Sequence, residues 1–224
     1  DQLKTQQEKL IINERHEAWG NLARKLAHEI KNPLTPIQLT IDQIRNKYLD
    51  KLSDNEKNSF KENLKIINNQ IKQIENLVNE FSDFARMPKP ILKDNDLIKI
   101  LNENIKLLSK VDNTIEIDLI KKNEVTLFNC DKEQIGRVFF NLIKNSIESI
   151  NQKSQKNLNF KKRISIEILQ NNDHISVILI DNGVGFKNIK GNIKDILNPY
   201  FTTKKDGTGL GLSIVNKIIN DHNG

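Results

Sequence analysis

The sequence predicts an α+β chain in two parts: a long helical hairpin, then an α/β sandwich with helices covering one face of a sheet. Three observations carry this. Two apolar stripes recur at three- and four-residue intervals through the first 84 residues. The segment Met87-Pro88-Lys89-Pro90 then ends the helical pattern, since proline cannot continue a helix. Beyond it, helical periods mix with runs that alternate in twos.

The elements follow in order. Residues 1–20 read as a polar linker helix with sparse apolar positions at Leu3, Leu10 and Trp19. Leu22, Leu26, Ile30, Leu34, Ile37, Ile41 and Ile44 form one helical stripe. A polar break over 50–58 separates it from a second stripe: Phe60, Leu64, Ile67, Ile71, Ile74, Leu77 (or Val78), Phe81 and Phe84. Two such helices joined by a short loop make an antiparallel hairpin over 21–87. One hairpin cannot bury both stripes, whereas two hairpins form a four-helix bundle, so a homodimer is expected. In the second domain, 91–224, the expected elements are a helix over 97–108, strands over 114–120 and 125–128, and a helix over 133–150. A polar loop over 151–162 precedes two strands, the second a buried run from Ile175 to Ile180. An aperiodic stretch over 186–206 and a last helix over 208–220 complete the pattern.

Composition narrows the function. With 224 residues the chain can build one large domain or two small ones, each with its own core. Lys and Arg total 35 against 29 acids, a net charge of +6. The basic residues are dispersed and no stretch interleaves Arg with aromatics, so direct nucleic-acid binding is not expected. No run approaches the ~20 apolar residues of a membrane span, and no secretory signal opens the chain. Cys130 is the only cysteine, which excludes an internal disulfide and fits a reducing, cytosolic setting. The helical pattern is already under way at residue 1 and no closing element follows Gly224, so a piece of a longer protein is expected.

Four blocks carry chemistry. Asp181-Asn182-Gly183-Val184-Gly185 places a carboxylate at the end of a strand, with glycines that let backbone approach a ligand. It fits a tight turn, or a hydrogen-bond acceptor for an exocyclic amine such as that of adenine. Gly207-Thr208-Gly209-Leu210-Gly211 opens the final helix, where backbone N–H groups favour phosphate. It is neither a P-loop nor a Rossmann fingerprint. Asn141 and Asn145 lie one turn apart amid apolar positions, either as a polar helix edge or as oxygen ligands for a hard cation. His28-Glu29-Ile30-Lys31-Asn32-Pro33 sets a histidine beside a carboxylate that can hold its tautomer and act as base. Asn32 sits on the same face, and Pro33 and Pro36 predict a kink just after His28. A helical histidine is also commonly structural or merely exposed.

In this order the blocks resemble the H, N, G1 and G2 boxes of the sensor histidine kinases of two-component systems, with Pro199-Tyr200-Phe201-Thr202-Thr203-Lys204 similar to the F box. The wording of the H box and of 199–204 is similar to the nitrogen-regulation class. The resemblance implies an ATP-binding domain of the histidine kinase, chaperone and gyrase type. ATP would then lie against Asp181, Gly183 and Gly185, with Gly207, Thr208, Gly209, Leu210 and Gly211 along its phosphates. Thr202 and Thr203 of the F box would belong to the same nucleotide site. Asn145, assisted by Asn141, would hold Mg²⁺, Lys144 would approach a phosphate, and 186–206 would form a lid. His28 would be phosphorylated with Glu29 as base. Asn32 would orient water for dephosphorylating the partner, a response-regulator receiver domain. The resemblance also implies a parent protein attached to the inner membrane. The alternatives are an ATPase of the same nucleotide fold and a dimeric scaffold with a degenerate pocket.

Overall fold

A computed structural model describes the main chain of residues 2–122, 127–155, 160–171, 174–186, 193–204 and 207–224, and side chains from residue 20 onward. Asp1–Pro88 and Lys89–Gly224 form two compact units.

In the first unit, α1 (Gln2–Tyr48) is continuous, so residues 2–20 of the expected linker helix and the first hairpin arm are one helix. It runs through Pro33 and Pro36. Each proline lacks an N–H, which leaves the carbonyls of Glu29 and Asn32 without their helical donors. A 3₁₀ turn (Leu49–Lys51) leads to α2 (Asp54–Ala85). This helix starts earlier than its apolar pattern, because Ser53 and Glu56 form a capping box. The Glu56 carboxylate accepts from Ser53 N at 3.1 Å and from the Ser53 hydroxyl.

The hairpin seam is narrower than the stripes. Ala23, Ala27, Leu34 and Ile41 of α1 and Leu64, Ile71 and Val78 of α2 are buried, with Phe60 packed against their centre. At the open end Gly20 keeps the helices close, since a Cβ there would lie 2.8 Å from the Ala85 carbonyl oxygen. Leu22, Leu26, Ile30, Ile37 and Ile44, with Ile67, Ile74 and Leu77, stay between 37% and 48% exposed. A single hairpin therefore leaves a second apolar seam uncovered.

In the second unit, β1 (Lys93–Asn95) pairs antiparallel with β3 (Phe128–Cys130). The sequence gives no sign of β1, which is three polar residues without alternation. Of the strand expected over 125–128, Phe128 lies in β3, while Val125 and Thr126 fall outside the described residues. Helix α3 (Leu97–Leu108) is capped by Asp96, which accepts from Lys99 N at 3.0 Å. The main sheet has the order β2 (Glu116–Lys121), β4 (Arg163–Gln170), β5 (Ile175–Asp181), parallel then antiparallel. Its register aligns Ile117, Ile164 and Asp181 in one row and Leu119, Ile166 and Leu179 in the next. These rows face the helices, and Ile164, Ile166 and Ile168 are fully buried. The opposite face carries Arg163 with Glu116 and Asp118, and Lys122 with Glu167. Ile178 and Ile180 lie on that outer face, 51% and 55% exposed. The expectation that the whole run from Ile175 to Ile180 is buried is thus corrected: helices cover one face only, so alternate residues of β5 point to solvent.

Helix α4 (Lys132–Ser154) is central, packing on α3, on β5 and on α5 (Gly211–Asp221). It runs four residues past Ile150 into the stretch expected as loop. Asp131 caps it by accepting from Glu133 N and Gln134 N at 3.0 Å each. Burial alone would raise the Asp131 carboxyl, but N–H donors from Gln134, Ile91 and Glu133 hold it below the usual range. The neighbouring Cys130 is fully buried, and its thiol is pushed up by burial and by the Asp131 charge, which marks it as packing and not as a nucleophile. A 3₁₀ turn (Ile193–Leu197) precedes the segment that leads to α5.

Candidate functional site

The second unit gathers its polar groups around α4. Asp181 ends β5 with its carboxylate turned to the helix. Its Oδ1 accepts from Gly183 N at 2.8 Å and from Ser149 Oγ at 3.4 Å, and its Oδ2 accepts from Ser146 Oγ at 3.2 Å. A carboxylate offers about four acceptor positions. Three are used to fix its orientation, so one remains for a ligand donor. The Ser149 hydroxyl is itself aimed by Val184 N, which donates to it at 3.1 Å. Below this clamp, Lys153 Nζ donates to the Asn182 carbonyl at 2.6 Å, and Asn182 ties to the start of β4 through Arg163 N at 3.1 Å.

The glycines divide by physical role. A Cβ on Gly183 would sit 2.2 Å from Ser149 Oγ and 2.8 Å from Asp181 Oδ1. The Asp181 clamp therefore excludes any side chain at 183. Gly185 has φ +63, a left-handed backbone that favours glycine, and among the described residues a Cβ there would meet nothing within 4 Å. Gly207 and Gly209 are small for a different reason. A Cβ on Gly207 would lie 2.5 Å from Thr202 Oγ1, and one on Gly209 would lie 2.5 Å from the Tyr200 carbonyl carbon. They make room for residues 200–204, a packing role that the phosphate-loop reading does not include. Tyr200 N donates to the Gly209 carbonyl at 3.0 Å, which staples the two segments together.

Gly211 brings the start of α5 onto α4: a Cβ there would lie 3.5 Å from Asn141 Oδ1 and 3.8 Å from Asn145 Nδ2. Both predicted asparagines therefore flank the helix N-terminus. Asn141 Nδ2 donates to the Arg137 carbonyl at 3.0 Å, which fixes its rotamer with the oxygen facing the start of α5. Asn145 Oδ1 accepts from Lys204 Nζ at 2.9 Å, and the same ammonium pairs with Glu148. Thr208 Oγ1 accepts from Leu210 N at 3.4 Å. The Leu210 side chain is fully buried, so only its backbone faces a ligand. Lys144, Thr202 and Thr203 are exposed; Thr202 Oγ1 accepts from Lys204 N at 3.1 Å.

Asp181 and Gly183 thus meet α4 at Ser146 and Ser149, and Gly211 meets it at Asn141 and Asn145, whereas among the described residues Gly185 and Gly209 make no such close approach to α4. Sequence reasoning missed Ser146, Ser149, Glu148 and Lys204. The two serines carried a readable signal: small hydroxyls three apart on one helix, Ser146 bordering the buried face of Ile143, Ile147 and Ile150.

In the first unit His28, Glu29 and Asn32 are exposed on α1, beside buried Ala27. His28 and Asn32 are one turn apart on the same face. The Glu29 carboxylate lies 4.0 Å from Lys25 Nζ.

Two protein families match the chain. The His Kinase A (phospho-acceptor) domain covers residues 18–90, and the histidine kinase-, DNA gyrase B- and HSP90-like ATPase family covers residues 130–224. The chain carries both domains, in that order. A putative NtrY-like sensor histidine kinase of Rickettsia bellii is 35% identical over all of this chain and 35% of the relative's length. The nitrogen regulation protein NtrY of Azorhizobium caulinodans is 33% identical over 96% of the chain and 27% of its own length. The chain thus spans about a third of the length of the curated relatives it matches. Among solved structures, ThkA in complex with the response regulator protein TrrA matches with a TM-score of 0.62 at 24% identity. That match covers 100% of this chain and 61% of that one. Full-length ShkA in complex with AMPPNP matches with a TM-score of 0.64 at 18% identity, over 90% of this chain and 41% of that one. These two likenesses concern the fold. The α+β architecture expected from the sequence, a helical hairpin followed by an ATPase-type sandwich, is the one found.

Proposed function

We propose that this chain is the catalytic core of a protein-histidine kinase: it binds ATP in the second unit, phosphorylates His28, and passes the phosphoryl group to an aspartate of a receiver domain. The observation that carries this reading is the clamped Asp181 carboxylate, one acceptor position unused, held against helix α4, whose Asn141 and Asn145 flank the glycine-bounded start of α5. An adenine amine suits that acceptor, and phosphates suit the helix start. Asn145, with Asn141 beside it, would hold Mg²⁺. The donor set fits a hard cation, since Asn145 Oδ1 already faces an ammonium at 2.9 Å. The metal, when bound, supplies charge neutralisation on the phosphates.

In the transfer, an unprotonated ring nitrogen of His28 attacks the γ-phosphorus. The bond from that phosphorus to the β–γ bridging oxygen breaks and ADP leaves. The other ring nitrogen gives up its proton, for which Glu29 is the adjacent carboxylate. Catalysis of this kind is mostly positioning and charge stabilisation. Exposure of His28 suits a group that must meet two partners in turn, the nucleotide and the receiver aspartate. The uncovered seam of the hairpin supports a homodimer through a four-helix bundle. Among the described residues no helix is long and apolar enough to cross a membrane. Attachment of the parent protein to the inner membrane rests on the character of the family.

The test is incubation with γ-labelled ATP and Mg²⁺. The chain is expected to take up acid-labile, base-stable label, and His28→Gln to lose it while binding ATP as before. Stable label on His28→Gln would overturn the assignment of His28. A chain that hydrolyses ATP without labelling itself would point to an ATPase of the same fold.

A further inference from the structure

Lys204 lies on the segment before the glycine-rich turn, yet its ammonium reaches across to α4. It donates to Asn145 Oδ1 at 2.9 Å and pairs with the Glu148 carboxylate. Asn145 and Glu148 are three residues apart, so their oxygens converge from one helix face onto one point. We propose that this point is a divalent-cation subsite with Glu148 as its second protein ligand, and that Lys204 is the internal cation that fills it until a metal-bearing nucleotide arrives. The inference rests on the nucleotide reading above and adds to it a ligand and an exchange.

Four physical arguments support the assignment. First, the two groups are hard oxygens, one anionic and one neutral, the kind of set that holds Mg²⁺ beside phosphate with few protein ligands. Second, a lysine ammonium has three donors and no acceptor. Its pairing with both oxygens shows that the point already selects a cation. Third, the pair is half-exposed, 42% for Lys204 and 40% for Glu148. Ion pairs this open contribute little to stability, so the ammonium is readily displaced. Fourth, the charges decide the exchange. Glu148 and Lys204 together sum to zero; a divalent cation entering while Lys204 stayed would leave like charges in contact. Lys204 must therefore leave as the metal enters, and its donors become available to an anion.

The exchange has a mechanical consequence. Thr202 Oγ1 accepts from Lys204 N at 3.1 Å, and Tyr200, with φ +68, donates its N–H to Gly209 at 3.0 Å. Residues 200–204 are thus coupled to the glycine turn, and release of Lys204 from α4 frees one end of that segment.

Binding measurements on the full 224-residue chain test this without reading activity. AMPPNP affinity is measured in Mg²⁺ and in EDTA, and Mn²⁺ binding to the nucleotide-free protein is followed by EPR. Glu148→Gln is expected to weaken AMPPNP about tenfold in Mg²⁺ and leave it unchanged in EDTA, the scale of a lost metal-site contact. Lys204→Met is expected to tighten nucleotide-free Mn²⁺ binding about tenfold, because the tethered competitor is gone; Lys204→Arg is expected to retain the weak binding of the unaltered chain. Equal weakening of AMPPNP by Glu148→Gln with and without metal, or Mn²⁺ binding that Lys204→Met does not change, would overturn the subsite alone. If the unaltered chain binds no AMPPNP, the nucleotide reading falls and this inference with it.

Discussion

Adding one methyl group at residue 183 tests whether the Asp181 clamp is as tight as its hydrogen bonds imply. In Gly183→Ala the new Cβ would stand 2.2 Å from Ser149 Oγ, 2.6 Å from the Ser149 carbonyl carbon and 2.8 Å from Asp181 Oδ1. Rotating Ser149 relieves the first contact only, because the second is to backbone. Ser149 Oγ would then lose its bonds to Val184 N and Asp181. Two hydrogen bonds at about 1 kcal/mol each, with overpacking of about 1–3 kcal/mol, give a loss of roughly 3–5 kcal/mol. For a domain of this size that lowers the unfolding midpoint by about 10 °C or more. The displaced carboxylate is also expected to weaken AMPPNP at least ~10-fold. Gly185→Ala is the control. Its Cβ meets nothing within 4 Å, so only the left-handed backbone, φ +63, opposes it, at about 1–2 kcal/mol. Thermal unfolding and AMPPNP titration of both variants decide the matter. Equal midpoints for the two, or unaltered AMPPNP affinity in Gly183→Ala, would refute the reasoning.

Two further expectations are more local. Asp112 accepts from Lys162 at 2.8 Å and from the Thr114 backbone and hydroxyl at 3.0 and 2.6 Å. Burial would raise its carboxyl, but these donors outweigh it and bring it from an ordinary 3.8 to about 2. A depressed carboxylate stabilises the fold above its unfolded value and loses that contribution as pH falls from about 4 to about 2. Asp112→Asn is expected to cost roughly 2 kcal/mol at pH 6 and to flatten that acid limb in urea unfolding; an unchanged limb would count against the pair. In the hairpin, Leu26→Glu with Ile74→Glu is expected to give a monomer by light scattering at micromolar concentration, since charges then stand on the exposed seam. A dimer of unchanged affinity would place the interface elsewhere.

Much of this architecture is legible because its periods are. The stripes of α1 and α2, the span of α3 and the alternation in β4 follow from side-chain spacing alone. Two things were not legible. Which face of a stripe meets which partner depends on tertiary packing: Leu22, Leu26 and Ile30 carry the strongest pattern, yet Ala23 and Ala27 fill the seam within one hairpin. Likewise β5 reads as wholly buried, but a sheet covered on one side leaves Ile178 and Ile180 outside. In the candidate site, the residues flagged by chemistry were the conspicuous ones, Asp181, the asparagines and the glycines. Their supports were hidden by distance along the chain. Ser146 and Ser149 act on a residue more than thirty positions away, and Lys204 reaches back more than fifty to Asn145 and Glu148. Such pairings carry no local period, so only the folded chain reveals them.

Asn32 offers a way to separate the two halves of the proposed reaction cycle. It stands one turn beyond His28 on an exposed face of α1, where a receiver domain docked on the histidine would meet both. Pro33 and Pro36 deprive nearby carbonyls of helical donors, so one role for the Asn32 amide is to cap broken backbone. Among the described residues its side chain makes no such bond. An amide is no base near neutral pH, but it can hold a water by hydrogen bonding. A water held there is placed to attack an aspartyl phosphate beside His28. Asn32→Ala is therefore expected to leave labelling of His28 within a few-fold of the parent and to slow dephosphorylation of the receiver partner by ~10²-fold, the scale of one positioned catalytic group. Rates are read from loss of label on the partner, with thermal unfolding measured alongside. A capping residue would behave differently: its loss would lower the unfolding midpoint and reduce both activities together. That outcome would return Asn32 to the backbone of α1 and leave the dephosphorylating water to another group.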